Sequence, residues 1–328
     1  MSYSHFSSCE RFTLYRLRTT ENLSMGIIAK RMKRSKSIIS RELRRNCINE
    51  TLYLPDTAQT KMAIRRQASK ERFMSVSDST LNEFKQRLAL YHSPEQISGR
   101  LEYEGLESIS YETIYQMVYS KHQGLGEYQH YLRQGQKKRR RRKGLYRKRG
   151  TIPGRVGIEH RPPIADKKTQ IGHWESDTVI GVNHTGMIVT HVDKASKFLL
   201  AGLAKNKTVQ QINQVTMGLF EHIEQGFRKT MTFDNGREFC GHQQLADGLG
   251  LQCFFANPYH SWERGLNEHT NGLLRQFFPK GTNFKIVKPE ALQRAVDLIN
   301  HRPRKSLDYR TPYEVFYPQP SAPVALQI

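Results

Sequence analysis

Paired cysteines are missing from this sequence. Cys9, Cys47, Cys240 and Cys253 are scattered over 328 residues with no C-x-x-C spacing, which excludes a zinc ribbon or a disulfide framework and fits a reducing compartment. No stretch approaches the 18 apolar residues that a membrane-spanning helix requires. The opening MSYSHFSSCERF has no apolar run behind a basic start, so it does not read as a signal peptide. Acidic residues are absent altogether from positions 128–158.

What is present in excess is positive charge. Lys and Arg number 52 against 30 Asp and Glu, a net charge of +22, which excludes an ordinary near-neutral metabolic enzyme and calls for a polyanionic partner. The excess is uneven. Residues 1–158 carry 32 basic and 14 acidic side chains, and residues 159–328 carry 20 and 16. The front half therefore reads as the part that holds the polyanion, while the rear half keeps carboxylates for other uses. Fifteen Phe and fifteen Tyr are enough to build cores, and the length gives two or three domains at about 150 residues each.

Residues 21–45 place Ile27, Ile28 and Met32 in one stripe, break at Lys33-Arg34-Ser35, and resume with Ile38, Ile39 and Leu43 inward. Lys36, Ser37, Ser40, Arg41, Arg44 and Arg45 are left outside. Two short helices about a tight turn, the second one basic, form the helix-turn-helix pattern, and these six residues are the candidate DNA contacts. A second pair is predicted over 93–119, with Ser93 as N-cap, Pro94 at the first helical position, Ile97 and Leu101 inward, then Ser110 capping a helix that buries Ile114, Met117 and Val118. Glu102, Glu104 and Glu107 weaken it as a DNA reader, and a structural or dimerising pair is the equal alternative. Residues 137–149 hold ten Lys or Arg in thirteen positions, a solvated linker that also neutralises phosphates.

From 170 onward the pattern changes to strands at 173–182, 187–193, 197–203, 230–233 and 252–255, with helices at 208–224, 241–249, 262–278 and 289–300, a mixed α/β sheet. Three acids stand out in it. Asp177 sits mid-strand in HWESDTVIG, where acids are depleted. Asp234 ends a strand in MTFDNGREF, the place where α/β sheets present ligands. Glu268 lies on the long helix, where Trp262, Leu266, Leu273 and Phe277 share one stripe and Arg264, Asn271, Gly272 and Arg275 flank Glu268 on the other. Glu263 should not share its direction. Hard carboxylate oxygens suit Mg²⁺, with Mn²⁺ able to substitute, and two such ions can activate an attacking oxygen and stabilise a leaving one. Asn235 orients the loop or a water, or is a simple turn residue. His173 and Trp174 read as packing or DNA-adjacent residues.

These blocks resemble the DDE transposases of bacterial insertion sequences, in particular the IS-thirty family. GHWESDTVIG is similar to its first-aspartate block, TFDNGREF to its second, and PYHSWERGLNEHTNGLLRQFFPKGTNF to its glutamate block, with 33 residues between Asp234 and Glu268. HRPRKSLDYRTPYEVF resembles its closing segment, and IIAKRMKRSKSIISRELRRN and SPEQISGRL…SYETIYQMVY match its front. The likeness spans about 11–317, departing where His269 stands for a common Asn and Leu266 for a common Thr. It implies an RNase H-like, mixed-sheet catalytic domain preceded by an all-α helix-turn-helix region: domain 1–70, second helical domain 71–132, basic linker 133–160 and catalytic domain 161–328. Asp177, Asp234 and Glu268 become the catalytic triad and the metal ligands, for cleavage at element ends and transfer of the freed 3′-hydroxyl without a covalent enzyme intermediate. Arg264 and Arg275 become candidate phosphate contacts. The implied partners are the element's terminal inverted repeats, target DNA and a second copy of the chain, in a dimer or higher multimer in the bacterial cytoplasm at the nucleoid. The competing readings are a helix-turn-helix regulator with an inactive nuclease-like domain, a nuclease that cuts without joining, and a packaging protein, the last of which leaves the carboxylates unexplained.

Overall fold

A computed structural model describes residues 6–48, 52–70, 76–133, 152–258, 260, 263 and 265–318. The chain divides into two compact units, Met1–Asp78 and Ser79–Ile328. The basic run at 137–149 lies outside the described residues.

The first unit is all helical: α1 (Ser8–Tyr15), α2 (Met25–Arg31), α3 (Lys36–Asn46) and α4 (Pro55–Lys70). Leu14, Leu17, Ile28, Ile39, Leu43, Tyr53 and Ala58 form its core. The turn before α3 is made by Lys33 in a left-handed conformation (φ 51°), and Ser35 then caps α3 by accepting from the Ile38 N–H. A buried polar clamp fixes the helices: Arg11 donates from Nε to Glu42 at 2.8 Å, and from Nη1 to both the Phe6 carbonyl and the Gln59 side chain. Two details differ from the sequence pattern. Ile27 is half-exposed, because Ile28 and Ala29 fill the inner stripe of the two-turn α2. The unit also uses α1 and α4, whose weak apolar periodicity gave no signal of its own.

The second unit opens with α5 (Asp78–Ala89), α6 (Pro94–Tyr103) and α7 (Tyr111–Tyr119). Ser93 and Ser110 cap α6 and α7 as the sequence predicts, with Pro94 at the first turn, and Ile97, Leu101, Ile114, Met117 and Val118 are buried. These helices belong to the same unit as the sheet. Arg100 of α6 forks onto Glu314 with two bonds of 2.7 Å. A Cβ on Gly99 would stand 2.2 Å from the Tyr309 ring, so only glycine admits this approach.

After the short α8 (Ile164–Lys167) comes a five-stranded sheet: β1 (His173–Ile180), β2 (Met187–Asp193), β3 (Leu199–Ala204), β4 (Thr230–Phe233) and β5 (Gln252–Phe255), in the order β3-β2-β1-β4-β5. The first three strands are antiparallel, and β4 and β5 run parallel to β1. One face packs Trp174 against α9 (Val209–Phe220), α10 (His242–Leu249) and α13 (Pro312–Phe316) through Phe220, Leu245, Leu249 and Phe316. The other packs Val179, Ile188 and Val192 under α11 (Gly265–Phe277) and α12 (Pro289–Asn300). The β3 edge is covered by one side chain: Asn300 donates to the Leu199 carbonyl and accepts from its N–H, which blunts an edge that could otherwise pair with another strand. The predicted strands at 187–193, 230–233 and 252–255 and the helix at 289–300 match to the residue. β1 ends at Ile180, short of Val182, because 182–184 turn into a 3-10 segment with Asn183 at φ 47°.

His191 lies at the centre of β2, wholly buried, between the Ser176 hydroxyl at 2.7 Å and the Thr216 hydroxyl at 3.2 Å. Burial pushes its pKa down to about 3, so the native state excludes a proton that the unfolded chain accepts below about pH 6.5. Stability is therefore complete above pH 6.5 and falls as the pH drops toward 3, with a slope approaching about 1.4 kcal/mol per pH unit from this residue. Denaturant titrations between pH 6.5 and 5 are expected to show that slope, and His191→Gln is expected to flatten it whatever it does to stability at pH 7.

Candidate active site

The site grows from β1. Alternation along the strand puts Trp174, Ser176 and Thr178 on the α9 face and Glu175, Asp177 and Val179 on the α11 face. Three polar contacts fasten α11 along that face. Glu175, fully buried, accepts from the Asn267 N–H at 3.3 Å, a carboxylate at a helix N-terminus. One turn on, the Asn271 side chain donates to Asp177 Oδ2 at 3.0 Å and accepts from Thr190 at 3.2 Å. Another turn on, Arg275 donates to the Ile180 carbonyl at 2.9 Å.

This seam brings two of the predicted acids near each other. Glu268, exposed in the first turn of α11, is three residues before Asn271, and positions i and i+3 are neighbours on a helix surface. Asp234 enters from the other side. In the parallel register of β1 and β4, Glu175 pairs with Thr232. Carried two residues past this last bonded pair, the same register points Asp234, just beyond the end of β4, toward the level of Asp177. Asp234 folds back to accept from the Gly236 N–H at 2.8 Å. A Cβ on Gly236 would stand 2.4 Å from Glu238 Oε2 and 2.7 Å from that Asp234 oxygen, so a side chain here would displace both carboxylates. Asn235 does more than turn the chain: it donates to the Ala256 carbonyl at 2.8 Å and accepts from Arg155 at 2.9 Å, tying the ends of β4 and β5 together.

Among the described residues, no three His, Cys, Asp or Glu side chains are gathered closely enough to hold a metal ion. The two aspartates take local donors, Asn271 and Gly236. The helix carrying Glu268 starts at Gly265, later than predicted, and Trp262 and Arg264 lie outside the described residues. Glu263 is off that helix, accepting from the Asn257 N–H at 2.8 Å and bound to His260, so it does not share Glu268's direction. Arg275, expected to contact phosphate, also has a partner inside the fold. Its guanidinium is committed to the Ile180 carbonyl and stacks over Phe284, and burial lowers its pKa; it is a fastener of α11. The face of α11 expected to be open is also partly covered, since Gly272 abuts Arg133 and Gln276 donates to the Tyr131 carbonyl. Sequence reasoning missed Glu238, which is buried, paired with Lys207 at 2.9 Å and 3.5 Å from the Thr178 hydroxyl; its signal was an acid one turn beyond Asp234 in DNGREF. His173 and Trp174 are packing residues, His173 bonding Thr230 and Trp174 donating to the Phe227 carbonyl.

The six basic and hydroxyl positions of α3 are all exposed. A family described as a helix-turn-helix domain matches residues 2–46, which covers α1 to α3. The chain is 37% identical to the transposase for insertion sequence element IS4351 of Bacteroides fragilis, over 90% of each chain. It is 32% identical to the transposase InsI for element IS30A of Escherichia coli, over 95% of this chain and 83% of the relative. The solved catalytic core domain of BIV integrase is 21% identical over 45% of this chain and 94% of its own, with a TM-score of 0.37. This chain belongs to the insertion-sequence transposases, in the IS-thirty family.

The transposase thus has the layout its sequence implied: an all-α helix-turn-helix region ahead of a five-stranded mixed sheet. No helix among its described residues is long and apolar enough to cross a membrane. DNA binding falls to the first unit, where Arg41, Arg44 and Arg45 project beside Ser37 and Ser40; Arg41 rests on the Ser37 carbonyl at 3.2 Å.

If the seam positions Glu268, loosening its middle bond should be felt in two ways. Asn271→Ala leaves Asp177 and Thr190 without a shared partner and is expected to lower stability by about 1–3 kcal/mol. It is also expected to reduce strand cleavage by more than the loss of folded protein accounts for, as read by denaturant titration beside end-cleavage of a labelled duplex.

Proposed function

We propose that the transposase cleaves DNA at the ends of its element and joins the freed 3′-hydroxyl to target DNA, with Asp177, Asp234 and Glu268 as the catalytic carboxylates. What supports this reading is that β1, which carries Asp177, packs against both β4, which Asp234 follows, and α11, which carries Glu268. The donor set is all carboxylate oxygen, half-buried or exposed, and fits a hard divalent cation; these three side chains would hold Mg²⁺ or Mn²⁺, and two ions fit two-metal phosphoryl transfer. Such an ion supplies Lewis-acid stabilisation of the charge that builds on the scissile phosphate. The chain's own contribution is positional. Asn271 holds Asp177, the Asn235–Ala256 tie holds the loop of Asp234, and Glu175 and Arg275 hold α11. Hydrolysis at the element boundary breaks the P–O3′ bond on the leaving side, and the new 3′-hydroxyl then attacks a target phosphodiester and displaces its 3′ oxygen. The exposed face of α3 reads the terminal inverted repeats, and bringing two ends together requires at least two copies of the chain.

The decisive experiment incubates a labelled duplex carrying the terminal repeat and its flank with full-length protein and Mg²⁺. Cleavage at the boundary is expected, falling about a thousand-fold, or about 4 kcal/mol, in Asp234→Asn while DNA binding survives. Binding without cleavage in either protein, with Mn²⁺ and paired ends also tried, would replace this reading by that of a regulator with an inactive nuclease-like domain. A second expectation concerns α3. Arg44→Ala with Arg45→Ala should reduce the slope of log K against log salt by about 0.9 for each phosphate that is no longer neutralised, measured by fluorescence anisotropy on the repeat.

A further inference from the structure

The second unit contains two groups of arginines in contrasting states. Arg87 and Arg100 are compensated: Arg87 pairs with Glu83 and Glu104, and Arg100 with Glu104 and Glu314. Arg302 and Arg304, at the start of the closing HRPRKSLDYR segment, are more deeply buried, 3% and 8% exposed. Among the described residues neither has an ion pair. Arg302 gives one nitrogen to the Gln276 side chain at 3.2 Å, and its Nε and remaining Nη have no partner there. Arg304 gives one nitrogen to the Ile299 carbonyl at 2.9 Å. Arg133 adds a third guanidinium. Its Nη2 lies 2.6 Å from where a Cβ would stand on Gly272, so that glycine makes room for it.

Arg133 and Arg302 meet α11 one turn apart, at Gly272 and Gln276. Burial, then Arg133, pushes Arg302 down to about 10, and burial, then Arg302 and Arg133, pushes Arg304 to about 9, so both remain charged at neutral pH. His92, buried nearby with Nδ1 unpartnered among the described residues, is held neutral by burial and by the surrounding arginines, Arg302 first. Tyr91 packs at a tilt on Phe277 at 4.7 Å and edge-on against Tyr131 at 4.9 Å. Three cations with no carboxylate among them are a poor way to stabilise a fold and a good way to hold a polyanionic oxygen cluster, for which a planar guanidinium fork is matched. On α11, Gly272 and Gln276 lie on the strip next to that of Glu268, Asn271 and Arg275.

We infer that Arg133, Arg302 and Arg304 form a phosphate-binding subsite against α11, taking a backbone phosphate of the DNA strand whose scissile bond lies at the neighbouring acids. The assignment of the phosphate to DNA rests on the proposed cleavage reading; the affinity for a phosphate oxyanion does not. The first test is thermal unfolding of the full chain in sodium phosphate against sodium chloride at equal ionic strength. Wild type is expected to gain several degrees more from phosphate than Arg133→Gln and Arg302→Gln do; an equal gain in all three overturns the subsite. Arg133 is exposed, so its variant keeps the test decisive if Arg302→Gln does not fold. The second test is the salt dependence of full-length binding to a terminal-repeat duplex. A log–log slope smaller by about 0.9 in Arg133→Gln supports a DNA phosphate. An unchanged slope with the phosphate-specific stabilisation intact overturns the DNA assignment and leaves a site for free phosphate. A changed slope in a protein that never cleaves supports the subsite and sinks the cleavage reading instead.

Discussion

The interaction on which the rest of the catalytic unit depends is the polar seam between β1 and α11. An apolar interface alone would let a 13-residue helix slide or rotate on the sheet at little cost, because Leu and Val contacts are non-directional. The bonds from Asn267 to Glu175, Asn271 to Asp177 and Arg275 to Ile180 are directional and spaced about one turn apart. They fix both the rotation and the rise of α11, and so fix where Glu268 stands. The cost is the burial of Glu175, which Lys194 at 3.7 Å and the helix N-terminus offset. Lys194 in turn meets Asp166, which Arg161 also holds. The seam is therefore one end of a charge network that runs from buried Glu175 through Lys194 to the exposed Asp166 of α8.

Much of this was legible in the sequence because it follows from periodicity. Strands β2, β4 and β5 and helix α12 are bounded by strong switches between period 2 and period 3.6 and by Gly, Asn and Pro, and their limits were readable directly. Asp177 was legible as an acid where a strand should not carry one, and Asp234 as the residue closing β4. The register that points one toward the level of the other was not legible, because it depends on the pairing of β1 with β4 across a long intervening stretch of chain. The commitments of Arg275, Asn235 and Glu238 were hidden for the same reason. Each touches a partner distant in sequence, so a helix-face argument could place Arg275 beside Glu268 but could not say that a strand carbonyl already held it. In the first unit, α1 is short, and its buried residues, Arg11 and Leu14, show no apolar repeat, so only the packed structure reveals it.

The two units solve opposite electrostatic problems. In the first, cations are wanted at the surface: Arg11 and Arg34 are consumed by Glu42 and Glu10 inside the fold, while the α3 arginines are left to solvent. In the second, acids are held inside the fold by directional donors: Glu175 accepts from the Asn267 N–H, Asp177 from the Asn271 side chain and Asp234 from the Gly236 N–H. Each donor is neutral, so each carboxylate keeps its charge and gains an orientation, which is what an ion pair with a flexible lysine would not give.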